Sequence, residues 1–406
     1  MELHLIKDFP EKSMLKLENK LLELLFNNAI SVLGSKKELA LKLNTSWHTL
    51  YGYKKRLKFI PFKIVQKILA ICNLEYSYIE GNIKEVRFRY TASFEVLNQK
   101  LTVNFRTKSG IKIVAALAGD GYLGTFGNIG YVNKNQKLRE EFLKNLQNTF
   151  SCIKLPDYSK AYRGKILELS RFFGYIFERT GIPKGKKVFT NPGMPEWILN
   201  CTNNKLLALY LQQLFDDEGH VSSVEKRMID LPQSVDITKE KRTPKLLNDI
   251  KFLLEKIGIK SNIPYPVRYY EVKEKDEVYN RVKYVLTISN YSELKNFRNK
   301  VGFLSKHKQK RLNKIVSTPT LSQRKNKEIE KDSLEACKKI QSQNKIINSL
   351  LLADELNIGE SYAQQLLRRL TGKNKVVKIA NKRTLRGVDG KILSISKPEF
   401  KLKGSD

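Results

Sequence analysis

Two acidic residues, Asp120 and Glu218, each directly precede a glycine at the end of an apolar run with helical character. A carboxylate in the last turn of a helix faces the negative end of the helix dipole, which is unfavourable unless a cation compensates. If the two helices pack side by side, a hard divalent ion such as Mg²⁺ suits the paired carboxylates and can also take phosphate oxygens as ligands. Such ions activate water and stabilise both oxygens of phosphodiester cleavage. We therefore predict that Asp120 and Glu218 are catalytic metal ligands.

The acids lie in two segments of the chain that share one pattern of secondary-structure signals. Residues 111–124 (IKIVAALAGDGYLG) and 206–221 (LLALYLQQLFDDEGHV) each give an apolar helical run, an acid followed by glycine, and a β-rich stretch. After each segment come a helix and then a strand that runs into a further helix. An acid–glycine pair is also a hairpin signal, but its repetition behind a helix and ahead of a strand favours a helix end.

The repeat predicts an α+β protein with two pseudo-symmetric αββαββα units, over residues 105–200 and 201–316. Two copies of one unit in one chain imply a monomer with an internal pseudo-two-fold axis and one composite site at that axis.

The composition points to a polyanionic partner. Lys and Arg total 75 against 41 acidic residues, a formal net charge of +34, and such an excess favours nucleic acid, because basic side chains replace the counterions of phosphates. The alternative is a general basic bias, as in a ribosome-associated protein. We expect no membrane span, no signal peptide and no zinc or disulfide framework, since apolar runs are short and the four cysteines lie far apart. The expected location is the cytoplasm, in association with the nucleoid.

The two acid-bearing segments resemble a known family. Residues 113–121 (IVAALAGDG) and 211–219 (LQQLFDDEG) are similar to the two signature helices of the LAGLIDADG (DOD-type) homing endonucleases. Supporting phrases are GIPKGKKV at 181–188, MPEWI at 194–198 and VGFLSKHKQKRL at 301–312. The resemblance covers about half of the chain. It implies helices at the interface of two halves, saddle-shaped antiparallel sheets in the major groove of double-stranded DNA, and acids that bind Mg²⁺ over the minor groove.

The second signature helix departs from the family pattern. Close packing favours small residues four apart, which the first helix supplies as Ala115 and Gly119, whereas the second has Gln213 and Asp217. Either the helices are held further apart, or Gln213 forms a hydrogen bond across the axis.

The resemblance also implies basic residues near the metal, which would position water and neutralise the transition state. Lys165 and Lys283 lie at matching strand starts and are our catalytic candidates. The alternative is that they contact only phosphates or solvent.

Alternate residues of a DNA-reading strand face the duplex. Asn128, Asn133 and Asn135 are expected to read adenine, and Lys226 or Arg227 to contact guanine or phosphate.

The first region, residues 1–85, reads as helical, and residues 35–72 resemble a repressor-like helix-turn-helix. Its second helix is expected to present DNA-binding side chains to a major groove, namely Ser46, Trp47, His48 and Lys54. The alternative is an ordinary helical hairpin.

The last region begins after a polar, charged stretch at residues 317–332, which reads as a linker. Residues 333–406 resemble a winged-helix domain, with Gln364 and Arg368 on the recognition helix and a hairpin turn at Asp389 and Gly390. The alternative is a plain interaction domain.

Together these features predict a site-specific endonuclease that cleaves both strands of DNA with a divalent metal. Two alternatives stay open: a transcription regulator on a scaffold that does not cleave, and a maturase that binds intron RNA. An intein is disfavoured, because the sequence starts at Met rather than Cys or Ser and no terminal His-Asn pair follows.

Overall fold

A computed structural model of the chain describes residues 1–55, 58–158, 164–238, 243–274, 277–317, 326–343, 346–380, 384–386, 392–395 and 398–403. The chain divides into two compact units. One comprises residues 1–221 and 228–312, and the other comprises residues 222–227 and 313–406. Within the described residues, no helix has the length and apolar character needed to cross a bilayer.

The first region of the larger unit mixes helices with short strands. Its elements are β1 (Glu2–His4), β2 (Ser13–Leu17), α1 (Asn19–Leu33), α2 (Lys36–Lys42), α3 (Trp47–Lys54), β3 (Ile60–Pro61), α4 (Phe62–Ile71), α5 (Ser77–Glu80), β4 (Ile83–Phe88), β5 (Phe94–Glu95) and β6 (Thr102–Asn104). One antiparallel sheet has the order β3-β2-β4-β5, and β1 pairs with β6.

The prediction that residues 1–85 are helical throughout is therefore wrong. In β2, Leu15 and Leu17 are buried while Lys16 between them is exposed. This short alternation runs almost directly into the helical pattern of α1, which begins at Asn19. The two predicted helices at residues 35–54 are present as α2 and α3, and the Ser46 hydroxyl caps α3 by accepting from the Thr49 amide at 3.1 Å.

The first acid-bearing half follows. It contains α6 (Lys108–Ala118), β7 (Gly121–Leu123), β8 (Ile129–Val132), α7 (Gln136–Thr149), β9 (Ile166–Leu169) and α8 (Arg171–Arg179), and it is followed by the short helices α9 (Lys187–Thr190) and α10 (Glu196–Leu199). The three strands form an antiparallel sheet in the order β7-β8-β9. The described residues of this half thus supply three of the four strands predicted.

The second half has every element of the predicted unit. It contains α11 (Asn204–Glu218), β10 (His220–Val221), β11 (Ile229–Asp236), α12 (Lys245–Lys256), β12 (Tyr265–Glu274), β13 (Glu277–Ile288), α13 (Tyr291–Lys300) and α14 (Lys306–Ser317). Its antiparallel sheet has the order β10-β11-β13-β12.

Helices α6 and α11 lie at the centre of the core of the larger unit. Ile113, Val114 and Leu117 of α6 and Leu211 and Leu214 of α11 are fully buried. A helix with apolar residues on most of its faces is stable only when other elements cover it, and α6 packs against both α7 and α11. This packing fixes the ends of α6 and α11, where the two acids lie.

The smaller unit has its own apolar core. Its elements are α15 (Asn326–Ser342), α16 (Ser349–Leu356), α17 (Glu360–Gly372), β14 (Val376–Ala380), β15 (Thr384–Arg386), β16 (Ile392–Ile395) and β17 (Glu399–Leu402), with β14 paired to β17 and β15 to β16. The linker predicted at 317–332 is corrected, because its residues from Asn326 onward begin α15. The turn predicted at Asp389 and Gly390 lies outside the described residues.

The α+β class is confirmed, with helices and several small antiparallel sheets.

Candidate active site

The two acid-bearing helices approach each other closely at their C-terminal ends. A Cβ atom placed on Gly119 would lie 3.0 Å from the Cβ of Asp217. The absence of a side chain at Gly119, the C-cap of α6, therefore leaves room for the Asp217 side chain of α11. The helices are therefore in direct contact, although α11 lacks small residues at the matching positions. The Gln213 amide reaches the Tyr131 hydroxyl of the first half at 3.5 Å, as one of our two alternatives expected.

Asp120 directly follows Gly119, the residue that closes α6, and Glu218 is the last residue of α11. The Asn133 amide donates to Asp120 Oδ2 at 2.7 Å. Burial raises the pKa of both acids above their ordinary values, and the charge of Asp120 raises that of Glu218 further. The structure therefore brings the two predicted acids into one electrostatic environment.

Two lysines that sequence reasoning did not select lie against the same helix ends. Lys187 Nζ donates to the carbonyl oxygens of Leu117, Ala118 and Gly119 at 3.0, 2.7 and 2.5 Å, at the end of α6. Backbone carbonyls at a helix C-terminus lack partners within the helix, so an ammonium group satisfies them and offsets the negative end of the dipole. Burial lowers the pKa of Lys187 to about 8, against the opposing effect of Glu218, Asp120 and Asp217.

Lys308 repeats this arrangement at the end of α11. Its ammonium donates to the carbonyl oxygens of Phe215 and Asp216 at 3.1 and 2.6 Å. Burial lowers the pKa of Lys308, while Asp216 and the three neighbouring acids raise it. The carboxylate of Asp216 in turn accepts from the backbone amides of Leu304 and Ser305 at 2.6 and 2.9 Å, which fastens the segment that leads into α14.

A sequence signal for both lysines existed. Each lies six residues after a glycine with positive φ, Gly181 or Gly302, that follows the third helix of its half. The segments GIPKGKKV at 181–188 and VGFLSKHKQKRL at 301–312 both contain this spacing.

A third acid, Asp217, lies between the two halves. Its Oδ1 accepts from the Tyr131 hydroxyl at 2.6 Å, from the Asn133 amide at 3.1 Å and from the Gln213 amide at 3.2 Å. Burial raises the pKa of Asp217 well above its ordinary value, partly offset by the hydrogen bonds from Tyr131 and Gln213. Because Asn133 also holds Asp120, the network connects a metal-ligand candidate of one half to the helix of the other.

Glu218 opens onto a cavity of about 560 Å³ between α11, α9, α12 and the sheet of the second half. The polar residues that line it include Lys187, Gln233, Ser234, Arg268 and Lys283. Lys283 lies in β13, paired with Ser234 on β11 and Arg268 on β12. The cavity therefore joins one acid and one helix-end lysine to the middle of the sheet.

Lys165, the other lysine we predicted as catalytic, is exposed, and its backbone oxygen accepts from the backbone N–H of Asn133 at 3.0 Å. The structure places Lys283, but not Lys165, in the cavity that holds Glu218.

The predicted DNA-contact residues of the first half take different positions. The prediction that Asn133 reads a base is corrected, because Asn133 is 9% exposed and its side-chain amide donates to Asp120 and Asp217. Asn135 caps α7 by accepting from the Lys137 amide at 3.1 Å and lines a second cavity of about 470 Å³. Asn128 is exposed at the β7–β8 turn.

In the helix-turn-helix region, Ser46 and His48 are exposed and Trp47 is half-buried. Lys54 donates to the Asn27 side chain at 2.7 Å. All four predicted residues of this region lie on α3 or at its cap.

The remaining DNA-contact candidates lie in the smaller unit. Lys226 is exposed, while Arg227 has a φ of 48° and donates from Nε to the Val224 oxygen at 3.0 Å. On α17, Arg368 is exposed and Gln364 is half-buried.

The donor set of the site fits a hard divalent cation. In the described residues, no group of three or more His, Cys, Asp or Glu side chains has a geometry that would hold a metal. Mg²⁺ keeps several waters and commonly takes only one or two protein carboxylates, with substrate phosphates completing its shell. Asp120 and Glu218 offer only oxygen donors and would be less repulsive with a cation between them. Two such acids are sufficient for Mg²⁺ once a phosphate is bound.

Residues 205–302 match the family model of the LAGLIDADG-like domain. This match covers most of the second half and supports the LAGLIDADG family for that part of the chain, whose members are generally nucleases that bind DNA.

Curated proteins that share a segment with this chain include the following three. It is 25% identical over 209 residues to the glutamine–fructose-6-phosphate aminotransferase [isomerizing] of Methanocaldococcus jannaschii, covering 51% of this chain and 17% of that protein. It is 27% identical over 211 residues to the tRNA-splicing ligase RtcB of Pyrococcus furiosus, covering 47% and 21%. It is 28% identical over 212 residues to the RtcB of Methanopyrus kandleri, covering 47% and 20%. The chain thus spans about a fifth of the length of these relatives.

Proposed function

We propose that this protein is a divalent-metal-dependent DNA endonuclease whose single active site lies where the C-terminal ends of α6 and α11 meet. The observation that carries the proposal is a matched set: each helix end presents one acid, Asp120 or Glu218, and one half-buried ammonium group, Lys187 or Lys308. The family model over residues 205–302 supports it, as does the net charge of +34.

Asp120 and Glu218 would hold the metal, which when bound supplies Lewis-acid stabilisation of the phosphodiester and an activated water. Asn133 fixes the rotamer of Asp120 through its amide. The ammonium groups of Lys187 and Lys308 place positive charge where negative charge develops on a bound phosphate, and they do so without reorganisation because backbone carbonyls already hold them.

The second sheet would lie against the duplex. Strands β12 and β13 are exposed along much of their length, and Tyr269 is 68% exposed. A two-stranded ribbon of this kind fits a major groove, where alternate side chains meet base edges. Pseudo-symmetric halves would place one such surface on each side of the site.

The flanking regions would add DNA contacts. The capped pair α2–α3 supports a helix-turn-helix near the N-terminus. In the smaller unit, helices α16 and α17 followed by the β14–β17 pair support a winged-helix module, with Ser361, Gln365 and Arg368 exposed on α17. These spacings place the three side chains on one helix face.

We propose neither an aminotransferase nor an RNA ligase activity for this chain. The aminotransferase and the tRNA-splicing ligase have different activities. In each of them, only about a fifth of the relative's length matches this chain. Because relatives of such different activity share this segment, we infer that the segment has a function distinct from both activities.

The second candidate is a transcription regulator that binds DNA without cleaving it. The flanking helical modules favour it, and so does the polar contact between α6 and α11 that Gln213 and Asp217 introduce. Retention of an acid at the end of each helix favours the nuclease.

Cleavage of a library of randomised duplex sites with Mg²⁺ tests the proposal. Asp120→Asn and Glu218→Gln should each lower the single-turnover rate on a selected site by about a thousandfold or more, because the members of a catalytic group act as a unit. Glu255→Gln, which removes an exposed carboxylate on α12, is the matched control and should cleave normally. Full cleavage by both site variants would refute the assignment, and tight binding with no cleavage by the natural protein would favour the regulator.

A further inference from the structure

Lys187 is carried by an element that cannot position it alone. Helix α9 has four residues, and a single turn forms too few hydrogen bonds to offset the entropy of its own ordering. Lys308, by contrast, lies on α14, which has 12 residues. The position of Lys187 must therefore come from contacts with other elements.

The β12–β13 hairpin supplies one set of these contacts. The ring of Phe189 lies 4.7 Å from that of Tyr279, and the Arg281 guanidinium lies 5.3 Å from the Phe189 ring. Glu274 forms an ion pair with Lys186 and accepts from Arg281 at 2.5 Å. We call these five residues the hairpin clamp.

The clamp has the features of a fixed contact rather than a chance surface pairing. The side chain of Arg281 is only 12% exposed. The ion pairs with Lys186 and Arg281 hold the pKa of Glu274 below its ordinary value. Lys186 and Phe189 flank Lys187 in the chain, so the clamp fixes the backbone on both sides of the lysine.

A second fastening lies at the end of α9. Asn191 is buried, adopts a φ of 43°, and donates to the Thr243 carbonyl oxygen at 2.8 Å while accepting from the Lys245 amide at 3.2 Å. This contact anchors the chain after α9 to the start of α12. Before α9, the Gly185 backbone N–H donates to the Leu123 carbonyl oxygen at 2.8 Å, so the clamp acts on the turn between these two anchors, which contains Lys187.

We infer that the hairpin clamp is a positioning device that holds the Lys187 ammonium on the carbonyl oxygens at the end of α6. Phe189, Glu274 and Arg281 contact one another or Lys186 on the turn that carries Lys187, so they would act through Lys187. The role of Lys187 in cleavage rests on the proposed function, whereas its placement by the clamp does not.

Lysine acetylation measured by mass spectrometry on the full-length protein tests the placement directly. Phe189→Ala should raise the acetylation rate of Lys187 about tenfold, because it removes an aromatic pair and a cation–π contact, and should leave Lys308 unchanged. Phe189→Tyr should restore protection. Phe252→Ala is the matched control, since that ring also lies beneath a lysine, Lys256, but outside the clamp.

A milder pair of variants separates positioning from misfolding. Glu274→Gln breaks the ion pairs of the clamp, whereas Glu178→Gln breaks the neighbouring Lys184–Glu178 pair, 2.6 Å long, which is not part of it. Only Glu274→Gln should expose Lys187. Unchanged acetylation of Lys187 in both Phe189→Ala and Glu274→Gln would overturn the inference, as would equal exposure of Lys187 and Lys308.

Cleavage provides the functional readout. Phe189→Ala should lower the single-turnover rate by about tenfold or more with the Kd for DNA within about twofold, because misplacing a catalytic group affects the chemical step rather than docking. An equal loss in affinity and rate would contradict positioning. If the natural protein cleaves no DNA, the proposed function fails while the acetylation result still decides the role of the clamp.

Discussion

The two acid-bearing halves build the same site with different means. Helix α6 ends on the small Gly119, whereas α11 has Asp217 at the matching place, and the two residues lie against each other. In a symmetric interface both helices would contribute a small residue. Here one helix supplies the space and the other fills it with a carboxylate that the first half holds through Tyr131 and Asn133.

The helix-end lysines show the same division. Lys308 lies on a helix of three turns, and Asp216 accepts hydrogen bonds from the residues just before that helix. Lys187 lies on a single turn that contacts a hairpin far away in the sequence. The comparison teaches that matched positions in two repeats can keep one chemistry while the structural support for it diverges.

Removing the two lysines one at a time is the strongest test of their equivalence. Lys187→Met and Lys308→Met should each lower the single-turnover cleavage rate by about a hundredfold or more, since each removes a preorganised charge from a desolvated site. Strand-specific labels on the duplex would report whether one strand suffers more. Lys256→Met, which removes a lysine that also donates to a backbone carbonyl, that of Leu199, is the control. A full rate in either site variant would show that the two halves do not share one chemistry.

The sequence was informative where the signal is local. An apolar helical run that ends on an acid and a glycine predicted the ends of α6 and α11 and both acids, because hydrophobic periodicity and a helix stop depend on neighbouring residues. The same reasoning missed β2, whose alternation covers only five residues and runs almost directly into α1.

The lysines could not be found in this way. Lys187 and Lys308 reach the site from segments beyond the third helix of each half, and only tertiary packing brings them to the helix ends. The prediction that Asn133 reads a base rests on the expectation that alternate residues of a DNA-reading strand face the duplex. The burial of Asn133 against Asp120 and Asp217 depends on the contact between the halves.

The strand lysines offer a smaller contrast between the halves. Lys283→Ala should lower the cleavage rate by about tenfold, because Lys283 lines the cavity of Glu218 and adds charge there. Lys165→Ala should change it by less than about twofold, because that side chain is exposed and interactions of solvent-exposed charges contribute little. Parallel single-turnover assays at fixed salt decide this. Equal losses in both variants would restore the symmetric assignment of the two lysines.

The smallest expected effect is on stability, and it isolates the Asp217–Gly119 contrast. Burial raises the pKa of Asp217, so the folded protein retains a proton that the unfolded chain has already released. The free energy of unfolding contributed by this group therefore falls as the pH rises from the ordinary carboxyl range towards the raised pKa. Asp217→Asn cannot titrate, so its free energy of unfolding should fall less than that of the natural protein between about pH 4, in the ordinary carboxyl range, and about pH 8.

Urea unfolding at the two pH values measures this difference. Part of the pH dependence should persist in Asp217→Asn, because burial also raises the pKa values of Asp120, Asp216 and Glu218. Glu255→Gln, which removes an exposed acid, should match the natural protein. An unchanged pH dependence in Asp217→Asn would mean that the donors from Tyr131, Asn133 and Gln213 compensate the buried charge fully. The helix interface would then tolerate an ionised carboxylate opposite Gly119, and the asymmetry between the halves would carry no cost in stability.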